Sequence, residues 1–325
     1  MNLLERLLNT RDVVIADGAM GTNLFLRGLG KDDVGAAWNV QRPEVVAGIH
    51  RGFVEAGADV LLTNTFGANR FRLAFRQLES RTREFNIAAT RIAREVAERA
   101  GRPVVVAGNI GPIGEVLEPL GTRGVDEAEQ GFFEQATALR EAGVDIAWIE
   151  SMFADDELDA AVRAVQRAGL AYVATMIFDT NGRTMMGVRP EDAMRRSGTF
   201  AHRPIAFGAN CGVGPAQLMD SVLGLIAGAE PGAVVVAKSN CGIPVLDADL
   251  RVRYDGTPDV LARYACMARD AGARIIGGCC GATDEHLRRI VEALASTPRQ
   301  PPPTRADIEL RLGGLGSAAG VRSRT

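Results

Sequence analysis

The sequence predicts a single (β/α)8 barrel on three observations. Eight β-rich runs alternate with helical patterns. Most of those runs are continuously apolar, as parallel strands buried on both faces require. The connections that follow the strands are long and Gly-rich, whereas those that precede them are short. An open doubly wound sheet built from the same units is the structural alternative. At 325 residues the chain has room for one barrel, which takes about 250 residues plus insertions.

The strand candidates in order are Val13–Ala16, Val60–Asn64, Val104–Ala107, Ile146–Glu150, Tyr172–Ile177, Ile205–Ala209, Val234–Lys238 and Ile275–Gly277. Between them, stretches such as Glu157 to Val165 carry apolar residues at helical spacing. Pro43, Pro190, Pro215 and Pro258 suit first helical turns, where the missing N–H costs nothing. Ala56-Gly57, Ala100-Gly101, Ala142-Gly143, Ala168-Gly169 and Ala271-Gly272 each precede a strand closely and read as helix ends closed by a left-handed glycine. The long loops are Gly21–Arg42, Pro112–Gly124, Asp179–Arg189 and Gly242–Gly256. All follow strands, so the functional end is the C-terminal face.

Residues 1–297 make up the barrel in this reading. Residues 298–325, rich in Pro, Gly, Ala, Ser and Arg, form a tail that is mobile, or else an oligomerisation arm using Ile308, Leu310 and Leu312.

Composition narrows the function. Hydrophobic residues at 46% and charged residues at 24% exclude a disordered or fibrous chain. Lys and Arg number 37 against 40 Asp and Glu, with no basic stripe, so nucleic acid is not expected as a partner. No apolar run reaches the roughly 20 residues of a membrane span, and Met1 to Arg11 lacks the features of a secretory signal. A cytoplasmic protein is expected, with no membrane partner.

All five cysteines lie beyond Asn210, which favours metal binding or catalysis over a disulfide framework. Cys211 follows strand six, and Cys279 and Cys280 follow strand eight, so three thiolates can converge at neighbouring strand ends. Adjacent cysteines reach one ion only if the backbone turns, which Gly278 and Gly281 permit. Zinc suits such a set, and three protein ligands leave a fourth position open for a substrate thiol. In that position the thiol is favoured as its thiolate. His50, His202 and His286 fall at helix or strand-approach positions away from the mouth.

Two alternatives stand beside this reading. The cysteines could be small buried hydrophobes, as expected for Cys266 within a helix. Cys241, after strand seven, could complete a closed four-thiolate site. Asp17 and Glu150 at buried strand ends imply a ligand with a cationic group, such as an α-ammonium, unless they cap helices or pair with Arg.

The segments Asp17-Gly18-Ala19-Met20-Gly21-Thr22, Asn64-Thr65-Phe66-Gly67-Ala68, Ala209-Asn210-Cys211-Gly212 and Gly277-Gly278-Cys279-Cys280-Gly281 resemble the signatures of homocysteine S-methyltransferases. The resemblance runs from Asp12 to about Ala295. It implies that Cys211, Cys279 and Cys280 are catalytic zinc ligands. Asp17, Gly18 and Glu150 then belong to the homocysteine site, with Thr65 and Asn210 of the matching segments as further substrate-binding positions. Asn240 matches a position that can occupy the metal before homocysteine arrives.

Trp38-Asn39, the segment Asp179 to Gly187, and Asn240 to Pro244 look most like the bacterial betaine–homocysteine type. Betaine is the methyl donor this implies, with Trp38 as an aromatic face for its quaternary ammonium. S-methylmethionine, another sulfonium donor and a corrinoid partner are the alternatives, and a non-catalytic zinc-stabilised module is the alternative of a different class. A homo-oligomer is compatible with all of these.

Overall fold

The computed structural model describes residues 1–242, 244–246 and 252–314. The rest of the expected loop Gly242–Gly256, including Ile243 of the last matching segment, and the end of the tail lie outside these residues. The strands are β1 (Val14–Ile15), β2 (Val60–Leu62), β3 (Val105–Ile110), β4 (Ile146–Met152), β5 (Tyr172–Met176), β6 (Ala206–Cys211), β7 (Val235–Ser239), β8 (Pro244–Leu246), β9 (Val252–Tyr254) and β10 (Ile275–Gly278). β8 and β9 form a separate antiparallel pair between β7 and the next helix.

The other eight are parallel neighbours in the order β1-β10-β7-β6-β5-β4-β3-β2. A parallel bridge from Ala16 to Val60 and a bond from Asp17 N–H to the Val60 carbonyl, 3.1 Å, join β1 to β2 and close the ring. This is the (β/α)8 barrel that the alternation predicts.

Alternation of side chains divides each strand between two cores. Val14, Val60, Val105, Ile146, Trp148, Val173, Val236 and Ile275 fill the inside, and Leu4, Leu7 and Leu8 of the helix Leu3–Thr10 pack against them. Their sequence neighbours Ile15, Leu61, Val106, Ala147, Val235 and Ile276 pack outward among the helices. A slip of one residue would exchange the two sets, so burial on both faces fixes the register.

The sequence punctuation also matches. The four named prolines stand in the first turns of the helices Pro43–Glu55, Pro190–Ser197, Pro215–Gly228 and Pro258–Ala271. Gly57, Gly101, Gly143, Gly169 and Gly272 all have positive φ.

Strand ends differ from expectation where side chains compete for the backbone. β2 stops at Leu62 rather than Asn64, because Thr65 N–H folds back onto the Thr63 carbonyl and Asn64 turns away to bond Gly35 and Asn39. β4 runs on to Met152 through an irregularity at Ser151, which has φ 63°.

The tail contains a docked helix where composition alone suggests a mobile segment. Residues Arg305–Leu312 are helical, opened by a Thr304–Asp307 capping box. Ile308 is fully buried, and Arg305 pairs with Asp220 of the helix Pro215–Gly228 through contacts of 2.5 and 2.6 Å. The buried Arg269 guanidinium holds the preceding turn through the carbonyls of Leu294, Thr297 and Pro298. One isoleucine and two arginines thus dock a segment too polar to fold alone.

Candidate active site and metal centre

Above the apolar interior the inward positions become polar. Two residues beyond Val236 stands Lys238, two beyond Trp148 stands Glu150, and Asp17, Asn109, Thr175 and Asn210 complete the layer; all six are buried. Asp17 Oδ2 accepts the Leu62 N–H at 2.8 Å, and its Oδ1 lies 3.2 Å from Lys238 Nζ. Burial pushes the Asp17 carboxyl above the usual carboxylate range, with Lys238 opposing it.

Glu150 Oε1 accepts from Asn109 Nδ2 at 2.8 Å. Its Oε2 is buried with no hydrogen-bond partner. Burial drives Glu150 up to about 7, against the attraction of Lys238. A buried carboxyl oxygen without a partner is a free acceptor that a donor on a ligand could satisfy.

Beside this layer three sulfurs converge. The Sγ atoms of Cys211, Cys279 and Cys280 lie within 4.8 Å of one another, and Cys211 and Cys280 are 3.9 Å apart. A tetrahedral zinc with bonds of about 2.3 Å separates its sulfurs by roughly 3.8 Å, so the cluster fits the ion.

The local backbone explains the convergence. Cys211 ends β6 in the left-handed region at φ 64°, which turns its side chain out of strand alternation. Cys279 and Cys280 occupy a turn closed by Ala282 N–H to the Cys279 carbonyl at 3.0 Å. Gly281 within that turn has φ 83°, and a Cβ there would strike the Tyr254 ring at 2.5 Å.

Hydrogen bonds from Cys211 and Cys279 hold Cys280 down to about 3. Hydrogen bonding to Cys279 and Cys280 pushes Cys211 far above the usual thiol range. One thiolate is therefore stabilised at the expense of a neighbour, and a divalent ion held here would let all three be thiolates.

Other expected residues support the cluster or stand apart from it. Asn210 Oδ1 accepts from Ser151 N–H at 2.9 Å and Thr175 Oγ1 at 2.6 Å, which points its Nδ2 at Ser151 Oγ, 2.7 Å, and Cys279 Sγ, 3.8 Å. Asn240 Nδ2 donates to the carbonyl of Gly212, next to Cys211, and its Oδ1 is buried without a partner. Gly18 lies so close to Phe53 and the Ala282 carbonyl that a Cβ would approach them to 2.7 and 2.9 Å. Thr65 is fully buried, its hydroxyl 2.6 Å from both the Asn109 carbonyl and Thr63 Oγ1. Trp38 is buried in the core with the Arg42 guanidinium 4.4 Å from its ring centroid.

Cys241 does not join the cluster. Its Sγ is 2.8 Å from the Gly256 carbonyl and 2.9 Å from His286 Nε2. Among the described residues, the thiols that converge are three, which disfavours the four-thiolate alternative.

Comparison with known proteins agrees with these motifs. Residues 14–294 match the family model described as homocysteine S-methyltransferase. The chain belongs to the homocysteine S-methyltransferase family.

It is 33% identical over 306 residues to a methionine synthase of Mycobacterium tuberculosis (strain ATCC 25618 / H37Rv), covering 88% of this chain and 25% of that protein. The chain thus spans about a quarter of the length of that relative. Among solved structures it resembles the homocysteine methyltransferase MmuM of Escherichia coli. The metallated form has a TM-score of 0.75 at 23% identity, over 89% of this chain and 99% of that one. The oxidized form has a TM-score of 0.77 at 23% identity, over 90% and 99%.

For this member of the family, sequence reasoning missed three neighbours of the site. Lys238 was legible only as the end of an apolar run, although a lone lysine closing Val-Val-Val-Ala is a signal that a buried charge needs a partner. Tyr254 hydrogen-bonds Cys280 from β9, across a stretch of sequence with no periodic signal. His286 was expected away from the mouth, yet it meets Cys241. It is the third residue of the helix Asp284–Ser296 and shares a capping box with Thr283, which carries its ring back toward the strand ends.

Proposed function

We propose that the chain transfers a methyl group to the thiol of homocysteine at a zinc ion held by Cys211, Cys279 and Cys280, with betaine as donor. The products are methionine and dimethylglycine. The observation that carries the reading is the three-sulfur cluster beside an orphaned buried carboxylate oxygen: one site for a thiol and one for an ammonium. Homocysteine carries both groups. Membership of the family and the likeness to a metallated methyltransferase support the same reading.

A zinc ion in this thiolate shell supplies Lewis acidity that ionises a substrate thiol near neutral pH while leaving its sulfur electron-rich. The chain's own residues do the rest. Glu150 accepts the α-ammonium, held in place by Asn109. Asn210 fixes the Cys279 sulfur through its amide. The close packing at Gly18 keeps the turn Gly278–Ala282 against β1, which sets where Cys279 and Cys280 sit. Asn240 Oδ1, buried without a hydrogen-bond partner, would be available to hold the ion's remaining position until homocysteine takes it. The methyl group passes from the donor nitrogen to the homocysteine sulfur, whose proton leaves to solvent, so no side-chain base is required.

Trp38 is the aromatic face assigned to the betaine ammonium, and this role requires Arg42 to leave its ring. The match to one quarter of a longer methionine synthase favours a second donor reading, a methyl group presented by a separate protein such as a methylated corrinoid carrier.

The experiment offers betaine, S-methylmethionine and a methylated corrinoid protein in turn to zinc-loaded protein with homocysteine and measures methionine. Zinc-dependent methionine from betaine is the expected result. Formation from another donor alone reassigns the donor, and no methionine from any donor overturns the reading in favour of a non-catalytic zinc module.

A further inference from the structure

The polar layer contains two carboxylates and one ammonium, all buried, and their hydrogen bonds are unequally shared. Both oxygens of Asp17 are committed, one to the Leu62 N–H at 2.8 Å and one to Lys238 at 3.2 Å. Lys238 rests 5.3 Å from the Trp148 ring centroid, whose face favours a cation and fills the space beneath it. Glu150 has one oxygen bonded to Asn109 and one without a partner. With both carboxyls ionised the three groups would carry −1 against a single ammonium, and the acceptor left without a partner is on Glu150.

We propose that Lys238 is a positioning residue that occupies Asp17 and thereby makes Glu150 the sole acceptor for the substrate α-ammonium. This rests on the homocysteine reading and alters one part of it: Asp17 supports the site rather than touching the substrate. The reason is electrostatic. Two ionised carboxylates facing one ammonium would both need ionising without compensation in the substrate-free site, which burial opposes. A lysine built into the layer neutralises one of them permanently and leaves the other to recognise the ligand.

The test compares homocysteine with 4-mercaptobutanoate, the same thiol acid without its amino group, by calorimetry on the zinc-loaded protein. Wild type should prefer homocysteine by roughly 10–100-fold, the range of a hydrogen bond to a charged group. Glu150→Gln should abolish the preference. Asp17→Asn should reduce it, because the released Lys238 turns to Glu150. The double variant Asp17→Asn/Lys238→Met should restore it.

A double variant as indiscriminate as Asp17→Asn makes Asp17 a direct ligand and overturns the proposal. If the double variant fails to fold, Lys238→Met combined with Glu150→Gln decides: a preference recovered through the freed Asp17 supports the proposal, whereas its continued absence, or equal weakening of both ligands by Lys238→Met alone, overturns it. Wild type that binds both compounds equally also overturns it but leaves thiol binding intact. Wild type that binds neither ends the homocysteine reading, and the proposal with it.

Discussion

Cys241 Sγ lies 2.9 Å from His286 Nε2 and does not join the other three thiols at the barrel mouth. Among the described residues, the rim thus brings three thiols together and leaves Cys241 outside, the arrangement that the proposed zinc site with an open fourth position requires. Cys241→Ser should therefore keep one zinc per chain, while Cys211→Ser, Cys279→Ser and Cys280→Ser each lose it. The expected loss of affinity exceeds the roughly 10–100-fold typical of outer-shell changes. Metal analysis after gel filtration with a chelator reads the difference.

Glu150, as the proposed ammonium acceptor, predicts a pH dependence of ligand binding. Burial holds its carboxyl up to about 7 in the substrate-free protein, and only the carboxylate attracts an ammonium. Binding of methionine, which has the ammonium but no thiol to ionise, should strengthen as pH rises from 6 to 8. Glu150→Gln should bind methionine more weakly, by roughly 10–100-fold at pH 8, and show no such dependence. Calorimetry at several pH values checks both.

Glu157, at the start of the helix Asp155–Arg167, predicts a stability effect of opposite sign. Its Oε1 accepts the Ile113 N–H at 2.8 Å, its Oε2 has no partner, and burial raises its carboxyl to about 7. Because its folded-state value exceeds its unfolded one, its contribution is complete below about 4.5 and lost as pH rises through about 7. Glu157→Gln should remove that part of the alkaline loss and stabilise the fold at pH 8 by on the order of 2 kcal/mol. Thermal melts at pH 5 and pH 8 test this, and an equal fall in both proteins would contradict it.

Ile308 anchors the tail helix. Ile308→Ala should cost about 2–4 kcal/mol if that helix melts with the barrel. Zinc content should not change, since the helix packs on the barrel wall. A denaturant midpoint unchanged from wild type would show that the helix unfolds independently.

Periodicity and punctuation made the barrel legible, because both report local geometry: strands buried on two faces read as apolar runs, and helices ending in left-handed glycines read as Ala-Gly pairs. The thiol triangle was legible for a topological reason, since strand order places β6 and β10 on either side of β7. The partners joined by side-chain direction were not legible. Lys238 reaches Asp17 across 221 positions and Tyr254 meets Cys280 from a separate hairpin, and no local pattern encodes either contact. The docked tail was missed for a related reason, because its anchor is a single isoleucine in a polar segment.

X-ray absorption at the zinc edge, recorded before and after homocysteine is added to the zinc-loaded protein, tests the central claim most directly. The account predicts three sulfur neighbours and one lighter atom before addition, and four sulfurs after. An unchanged shell, or four sulfurs from the outset, would contradict it.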